Sequence, residues 1–299
     1  MNSNQPTPER IMQLATGYWA TGVLGAAASH SLFTHLEAGA ATADKLAAQA
    51  EISERGAQTL LDGLVSLGLV ELRDGNYRNT TEAATFLVEG QPACLSSYAE
   101  FKLAETGKLV ALPDVVRTGG PVTDATVEVA DNPHWEKVVQ AIAAQSVPVA
   151  MIAADILRLA EADEISILDI GGGSGIYSAI WLELNPAARS TQLDWGPVNE
   201  MARRLVAERG AADRLTCIDG DFHTTDFGTA VYDIAVYSHI AHQEGPEDNV
   251  AIFAKVRGAL KSGGTLVIND YIVEDDRSGP PFPLIFASEM LLKSKQGGT

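Results

Sequence analysis

Residues Ile167–Ser178 read ILDIGGGSGIYS. An apolar run ends beside Asp169, and glycines follow at 171, 172, 173 and 175 before the pattern turns helical. A glycine-rich turn between a buried strand and a helix is where α/β proteins hold nucleotide-like ligands. A dinucleotide loop would read G-x-G-x-x-G. Counted from Gly171 its last glycine falls on Ile176, and counted from Gly173 it falls on Ser178, so neither register fits. That disfavours a nicotinamide-dependent dehydrogenase. The stretch offers instead Asp169 followed by Gly171, Gly173 and Gly175 at alternate positions.

From Ile165 onward, strand-like and helix-like segments alternate. ISILDI, STQLD, RLTCIDG, YDIAVYSHI and GTLVINDYIV read as strands, with helices in IYSAIWLELN, PVNEMARRLVAERG and a segment opening at Pro246. This grammar predicts a parallel sheet covered on both faces, with ligands at the carboxyl ends of its strands. Three acids stand at successive strand ends: Asp169, Asp194 and Asp221. Carboxylates there would repel a pyrophosphate but suit S-adenosylmethionine, which has no phosphate and carries an ammonium and a sulfonium. Asp194, nineteen residues after Gly175, is placed to bind both ribose hydroxyls. Asp221, in GDF, is placed at the adenine edge with Phe222 packing on its face. Trp195 and Ser238, at the ends of the second and fourth strands, join the cofactor side. One aspartate alone would read equally well as a solvated cap; three in order carry the argument.

The run LDIGGGSG (168–175), LDWGPV (193–198), GDF (220–222), HIAHQEGPEDN (239–249) and ALKSGGTLVINDY (259–271) resembles the bacterial and plant small-molecule O-methyltransferases. YWATGVLGAAASHSLFTHL, LLDGLVSLGLVE, YRNT and HWEKVVQAIAAQ extend the likeness over nearly the whole chain. The resemblance implies an α/β protein: a C-terminal Rossmann-like class I methyltransferase sheet behind an N-terminal, mostly helical winged-helix dimerisation domain. The divisions expected are 1–90 for dimerisation, 91–160 for a helical linker and acceptor-pocket region, and 161–299 for the S-adenosylmethionine-binding domain. The implied activity is methyl transfer to a hydroxyl of a small aromatic or polyketide-like acceptor. C- or N-methylation, or binding of S-adenosylmethionine without methylation, stays open as the alternative.

The resemblance also places His242 as general base, because the family's histidine lies just after the fourth strand. A neutral imidazole near pH 7 can take a hydroxyl proton as the methyl arrives. Gln243 stands where the family often has Asp, and no Trp follows. His239, three residues earlier, is the competing candidate and otherwise lines the acceptor pocket. Asp270, ending TLVIND, matches the acid that orients the histidine; the bland alternative is a strand cap. Trp135, Val138 and Ile142 from the middle helices, with Phe286 and Met290 near the end, are expected to form an apolar slot for a flat acceptor. Glu274, Asp275 and Asp276 lack the spaced oxygen ligands and glycine turn of a hard-cation loop, so no metal is expected.

The N-terminal part expects a long helix, capped by Thr7 with Pro8 at its first position and running through Ala28. Two shorter helices follow, from Thr42 and Ser53, and then a hairpin around Asp74-Gly75. Helices ending in a small hairpin read as a winged helix. Residues 1–90 carry ten acids against five Lys or Arg, and no basic stripe is present, so a homodimer contact is expected and nucleic acid is not. A net charge of −18 agrees, and also disfavours an anionic membrane. Two cysteines without paired spacing, a polar start and no apolar run of spanning length make a cytoplasmic protein the expectation. The chain ends in MLLKSKQGGT, where the family leads into further strands, so the fifth strand is expected at a sheet edge.

Overall fold

The computed structural model describes residues 6–91, 93–122 and 134–298. The chain forms two compact units, Met1–Gly107 and Lys108–Thr299. That division falls inside the region read as a linker.

The first unit opens with α1 (Glu9–Ala15) and α2 (Tyr18–Ser29). The single long helix expected here is broken at Thr16–Gly17, and Pro8 rather than Thr7 occupies the cap position, with no side-chain cap. The Thr16 hydroxyl donates to the Met12 carbonyl at 2.9 Å, a back-bond at the end of the turn. Next come α3 (Leu32–Glu37), α4 (Ala43–Gln49) and α5 (Glu54–Ser66), and the antiparallel hairpin β1 (Val70–Arg73) and β2 (Asn76–Asn79). Ser53 caps α5 by accepting the Gly56 N–H at 3.0 Å. Asp74 (φ 51°) and Gly75 (φ 76°) make the left-handed two-residue turn expected of this pair. The core gathers Leu32, Phe33, Leu46, Leu61 and Leu64. After α6 (Thr81–Phe86), α7 (Ser96–Glu105) packs on α2 at Gly25, where an added Cβ would overlap Leu103 and lie 3.0 Å from the Ala99 carbonyl oxygen.

The second unit begins with α8 (Leu112–Thr118) and α9 (His134–Leu157). By length and composition, Trp135–Leu157 could span a membrane, with a mean hydropathy of 1.4, which departs from the sequence reading. Here it is a packing helix: Ala150, Ala153 and Ala154 are buried in one core cluster with Tyr177 and Trp181. Five parallel strands follow, alternating for the most part with helices: β3 (Ser166–Ile170), α10 (Ile176–Leu184), β4 (Arg189–Asp194), α11 (Gly196–Glu208), β5 (Leu215–Asp219), β6 (Tyr232–Ser238), α12 (Pro246–Ala259) and β7 (Leu260–Asn269). The helix α13 (Pro281–Lys293) comes last.

The strands lie in the order β5-β4-β3-β6-β7, with β7 at an edge as expected. This strand starts at Leu260, earlier than Gly264, and follows α12 directly. Chain order runs outward from β3 to one side through β4 and β5, then resumes on its other side with β6. The loops after β3 and β6 therefore diverge from a shared crevice, the switch point where such sheets bind ligands.

Gly25→Ala is expected to lower stability by about 1–3 kcal/mol through overpacking of α2 on α7, read as a shifted urea midpoint. An unchanged midpoint would mean that these two helices can separate freely.

Candidate active site

The loop after β3 has a conformation that only glycine adopts readily. Gly171, Gly173 and Gly175 have φ of 60°, 57° and 76°. An added Cβ would lie 2.5 Å from Ile240 Cδ1 at Gly171, and 2.7 Å from Ala202 Cβ at Gly175. At Gly172 it would lie 2.7 Å from both the Asp169 carboxyl carbon and Gln192 Oε1. The loop thus rests directly on the Asp169 side chain.

Asp169 is only 1% exposed. The Ser178 hydroxyl donates to its Oδ2 at 3.3 Å, and Ser178 and Ser190 share a further hydrogen bond of 2.7 Å. Burial pushes the Asp169 carboxyl up to about 7; the Ser178 hydrogen bond opposes this and the neighbouring Asp194 adds to it. Asp194 is raised to about 6 by burial, against two backbone hydrogen bonds. Its Oδ2 accepts the Gly173 N–H at 2.8 Å and its Oδ1 the Trp195 N–H at 2.7 Å. Each oxygen keeps a second lone pair for a hydroxyl. No ion pair to either carboxylate occurs among the described residues. Gln192, fully buried beside Asp169 in the β3–β4 register, donates to the Gly173 carbonyl at 3.0 Å, while its Oε1 has no partner among the described residues. A buried acid, a half-buried one and an unsatisfied acceptor around a loop of backbone N–H groups fit a ligand with a cationic end, as S-adenosylmethionine has.

The remaining residues expected on the cofactor side stand at or just after the ends of β4, β5 and β6. Trp195 leads into α11, and Phe222 lies 4.0 Å from the position of a Gly171 Cβ. The Asp221 Oδ1 is engaged by its own loop, accepting the His223 N–H at 2.8 Å. Ser238 donates to the Tyr177 hydroxyl at 3.2 Å and accepts from Asn269 at 3.1 Å.

Across the crevice, the loop after β6 carries His242 and the end of β7 presents Asp270. Both side chains are buried, 7% and 5% exposed. Nδ1 of His242 lies 2.6 Å from Asp270 Oδ1, and the His242 backbone N–H donates to Oδ2 at 3.1 Å. Burial would raise Asp270, but the His242 hydrogen bond and charge, with the N–H groups of Tyr271 and His242, hold it below the usual carboxylate range. An ionised carboxylate only accepts, so Nδ1 carries a proton, and in the neutral ring Nε2 is the nitrogen that keeps its lone pair.

His239 lies nearby in the left-handed region (φ 59°), its Nε2 3.2 Å from the Asn269 amide, and burial lowers its pKa. One ligand atom from each of His239, His242 and Asp270 falls within 4.8 Å of the others, a spacing that could suit a metal. The short Nδ1–Oδ1 hydrogen bond already commits two of those groups to each other. Glu274, Asp275 and Asp276 sit in a turn that Asp276 closes by accepting the Ser278 N–H at 2.9 Å.

Of the expected pocket residues, Phe286 stands edge-on to His242 at 5.1 Å between centroids. Met290 is buried on the same helix. Trp135, Val138 and Ile142 are half-buried on α9, but the residue of that helix against the glycine loop is Val139, 3.4 Å from the position of a Gly173 Cβ. The sequence reading missed Val139, one helical step of about 100° away, and it missed Tyr271. The Tyr271 ring lies 5.7 Å from His242, 5.2 Å from His239 and 4.5 Å from Phe286, and Phe282 stacks on Phe286 at 5.9 Å. An aromatic directly after Asp270 was the signal available for it.

Comparison with known proteins agrees with this geometry. Residues 124–299 match the O-methyltransferase domain family and residues 12–89 match the O-methyltransferase dimerisation domain. The chain is 32% identical to the 3-hydroxy-5-methyl-1-naphthoate 3-O-methyltransferase of Streptomyces sahachiroi, covering 95% of this chain and 83% of that one. It is 31% identical to aclacinomycin 10-hydroxylase RdmB of Streptomyces purpurascens, over 90% of this chain and 74% of the relative. The crystal structure of human N-acetylserotonin methyltransferase in complex with S-adenosylmethionine shares the fold, with a TM-score of 0.82 at 22% identity over 100% of this chain and 90% of that one. With a catalytic domain and a dimerisation domain both matched, the chain belongs to the O-methyltransferase family, whose methyl donor is S-adenosylmethionine.

Proposed function

We propose that this protein methylates a hydroxyl of a small, flat aromatic or polyketide-like acceptor, with His242 as general base and Asp270 as its orienting acid. The observation that carries the reading is the buried His242–Asp270 pair at the switch point, walled by Tyr271 and Phe286. When bound, S-adenosylmethionine supplies a methyl group made electrophilic by its sulfonium. Asp169 and Asp194 would hold its cationic and ribose portions, with Gly171, Gly173 and Gly175 giving the close approach. Trp195, Asp221, Phe222 and Ser238 complete that side. His242 Nε2 would then take the hydroxyl proton as the acceptor oxygen attacks, and Asp270 would stabilise the imidazolium.

The aromatic rings make a surface for a planar acceptor, and the names of relatives, a naphthoate O-methyltransferase among them, point to the same class. A relative named as a hydroxylase keeps the alternative of a different outcome on the same fold; the base-and-acid pair favours methylation at oxygen. A homodimer through the N-terminal domain fits the exposed Ile11, Leu14, Tyr18 and Trp19. A cytoplasmic setting fits two half-buried free cysteines, Cys94 and Cys217.

His242→Ala is expected to lower kcat at saturating substrates by about 100-fold, with affinity for S-adenosylhomocysteine kept. A wild-type kcat on a trial phenol would remove the base role. Asp169 generates a separate expectation. Its folded-state pKa is raised, so its contribution to stability is present below about pH 4 and is lost as pH rises through about 7. The ligand-free protein should lose roughly 3 kcal/mol between pH 5 and 8 on this account. Asp169→Asn should abolish that loss while binding S-adenosylmethionine at least tenfold more weakly at pH 8. Urea denaturation and calorimetry check the two halves; wild-type affinity in the variant would place the cationic end elsewhere.

A further inference from the structure

The loop that carries His242 lacks the Asp and Trp that its resemblance implies, and two other side chains support it. Gln243 donates to the His239 carbonyl at 2.9 Å, inside the loop. Glu244 reaches outward: its side chain is 11% exposed, and its Oε2 lies 2.9 Å from His223 Nε2. His223 follows Asp221 and Phe222 on the loop after β5. Its other ring nitrogen, Nδ1, lies 2.7 Å from Asp221 Oδ1. The ring also rests on Phe222, with centroids 4.5 Å apart. From α12, Lys255 donates to the carbonyls of Phe222 and His223 at 2.5 and 3.0 Å. One imidazole therefore touches an acid on each of two loops, one beside the cofactor and one bearing the base.

We propose that His223 is a positioning residue that clasps the Asp221–Phe222 loop to the His242 loop through Glu244. It rests on the reading of Asp221 as a cofactor residue and His242 as the base. An imidazole between two carboxylates satisfies both only when both ring nitrogens carry protons. Burial alone would lower the His223 pKa, but Glu244 and Asp221 more than offset that and raise it. Among the described residues, nearby charges include the Lys255 ammonium on the loop carbonyls and Asp226, which acts on Lys255. The clasp is complete below the ordinary histidine range and is lost as pH rises through the raised value, when one carboxylate faces a lone pair. Exposed ion pairs contribute little to stability. What this one provides is registration, because methyl transfer depends on alignment between donor and acceptor.

A double-mutant cycle of His223→Ala and Glu244→Gln in the full chain tests this. Three quantities are read: the His223 ring titration by NMR, the affinity for S-adenosylhomocysteine by calorimetry, and kcat at saturating substrates. Glu244→Gln is expected to lower the His223 pKa. Each single variant is expected to weaken S-adenosylhomocysteine binding and to reduce kcat by about fivefold, with the double variant no worse than the poorer single. An unmoved His223 titration in Glu244→Gln, or losses that multiply in the double variant, would overturn the clasp. A wild-type kcat in His242→Ala would sink the base reading separately, leaving the titration and the binding data to judge the clasp.

Discussion

The carboxyl group of Asp169, almost wholly removed from water, constrains everything built over it. An isolated buried carboxylate is strongly disfavoured, so in the free protein this group keeps a proton to higher pH than an exposed aspartate does. The loop above must then come close without adding bulk. A Cβ at position 172 would strike Asp169 and Gln192, and left-handed turns at 171, 173 and 175 let the chain pass over them. The amides around it are fixed in turn: Gln192 bonds to Asn199, which donates to the Asp194 and Ile218 carbonyls at 3.1 and 3.0 Å. The loop is therefore shaped before any ligand arrives, and what it lacks is positive charge.

Sheet topology supplies the second half of the site. Because β4 and β6 flank β3 on opposite sides, the loops after β3 and β6 lie side by side at the switch point, with Ile240 packed against Gly171. β6 and β7 pair at Ser238 and Asn269, which sets His242 and Asp270 just beyond matching strand ends. The hydrogen bond between them is thus a product of strand register. The end of the chain adds a brace: Ser294 donates to the Gln243 carbonyl at 2.9 Å and the Gly298 N–H to the His242 carbonyl at 2.8 Å.

Features set by local sequence were legible. The Asp74-Gly75 turn, the helix start at Ser53, the glycine loop and the acids at strand ends depend on residues a few positions apart, and they fold as their chemistry requires. The pairing of His242 with Asp270 was reached through resemblance, since 28 positions separate the two. Features set by phase or by distant partners were not legible. The break at Thr16–Gly17 coincides with a glycine and with the Thr16 back-bond to the Met12 carbonyl, features that apolar periodicity does not encode. Val139 was missed because a small change in helical phase alters which side chain of α9 faces the glycine loop. His223 and Glu244 carry no motif, and only the fold brings their loops together.

One fold can serve different outcomes among relatives, because holding the cofactor and deprotonating an acceptor fall largely to different residues. On the proposed reading, holding S-adenosylmethionine falls mainly to the glycine loop, to the acids in β3 and β4, and to Asp221 after β5. Methylating a hydroxyl adds a further demand, because the attacking oxygen must lose its proton as the bond forms. On the proposed reading Asp270 would meet it by fixing the tautomer: in the neutral ring an ionised carboxylate beside Nδ1 leaves Nε2 free to accept. His239 lacks this arrangement, since its Nε2 faces an amide and burial disfavours its protonated form. Of the two histidines in the loop, only His242 is hydrogen-bonded to a carboxylate among the described residues, a partner that would stabilise the charge gained on taking a proton.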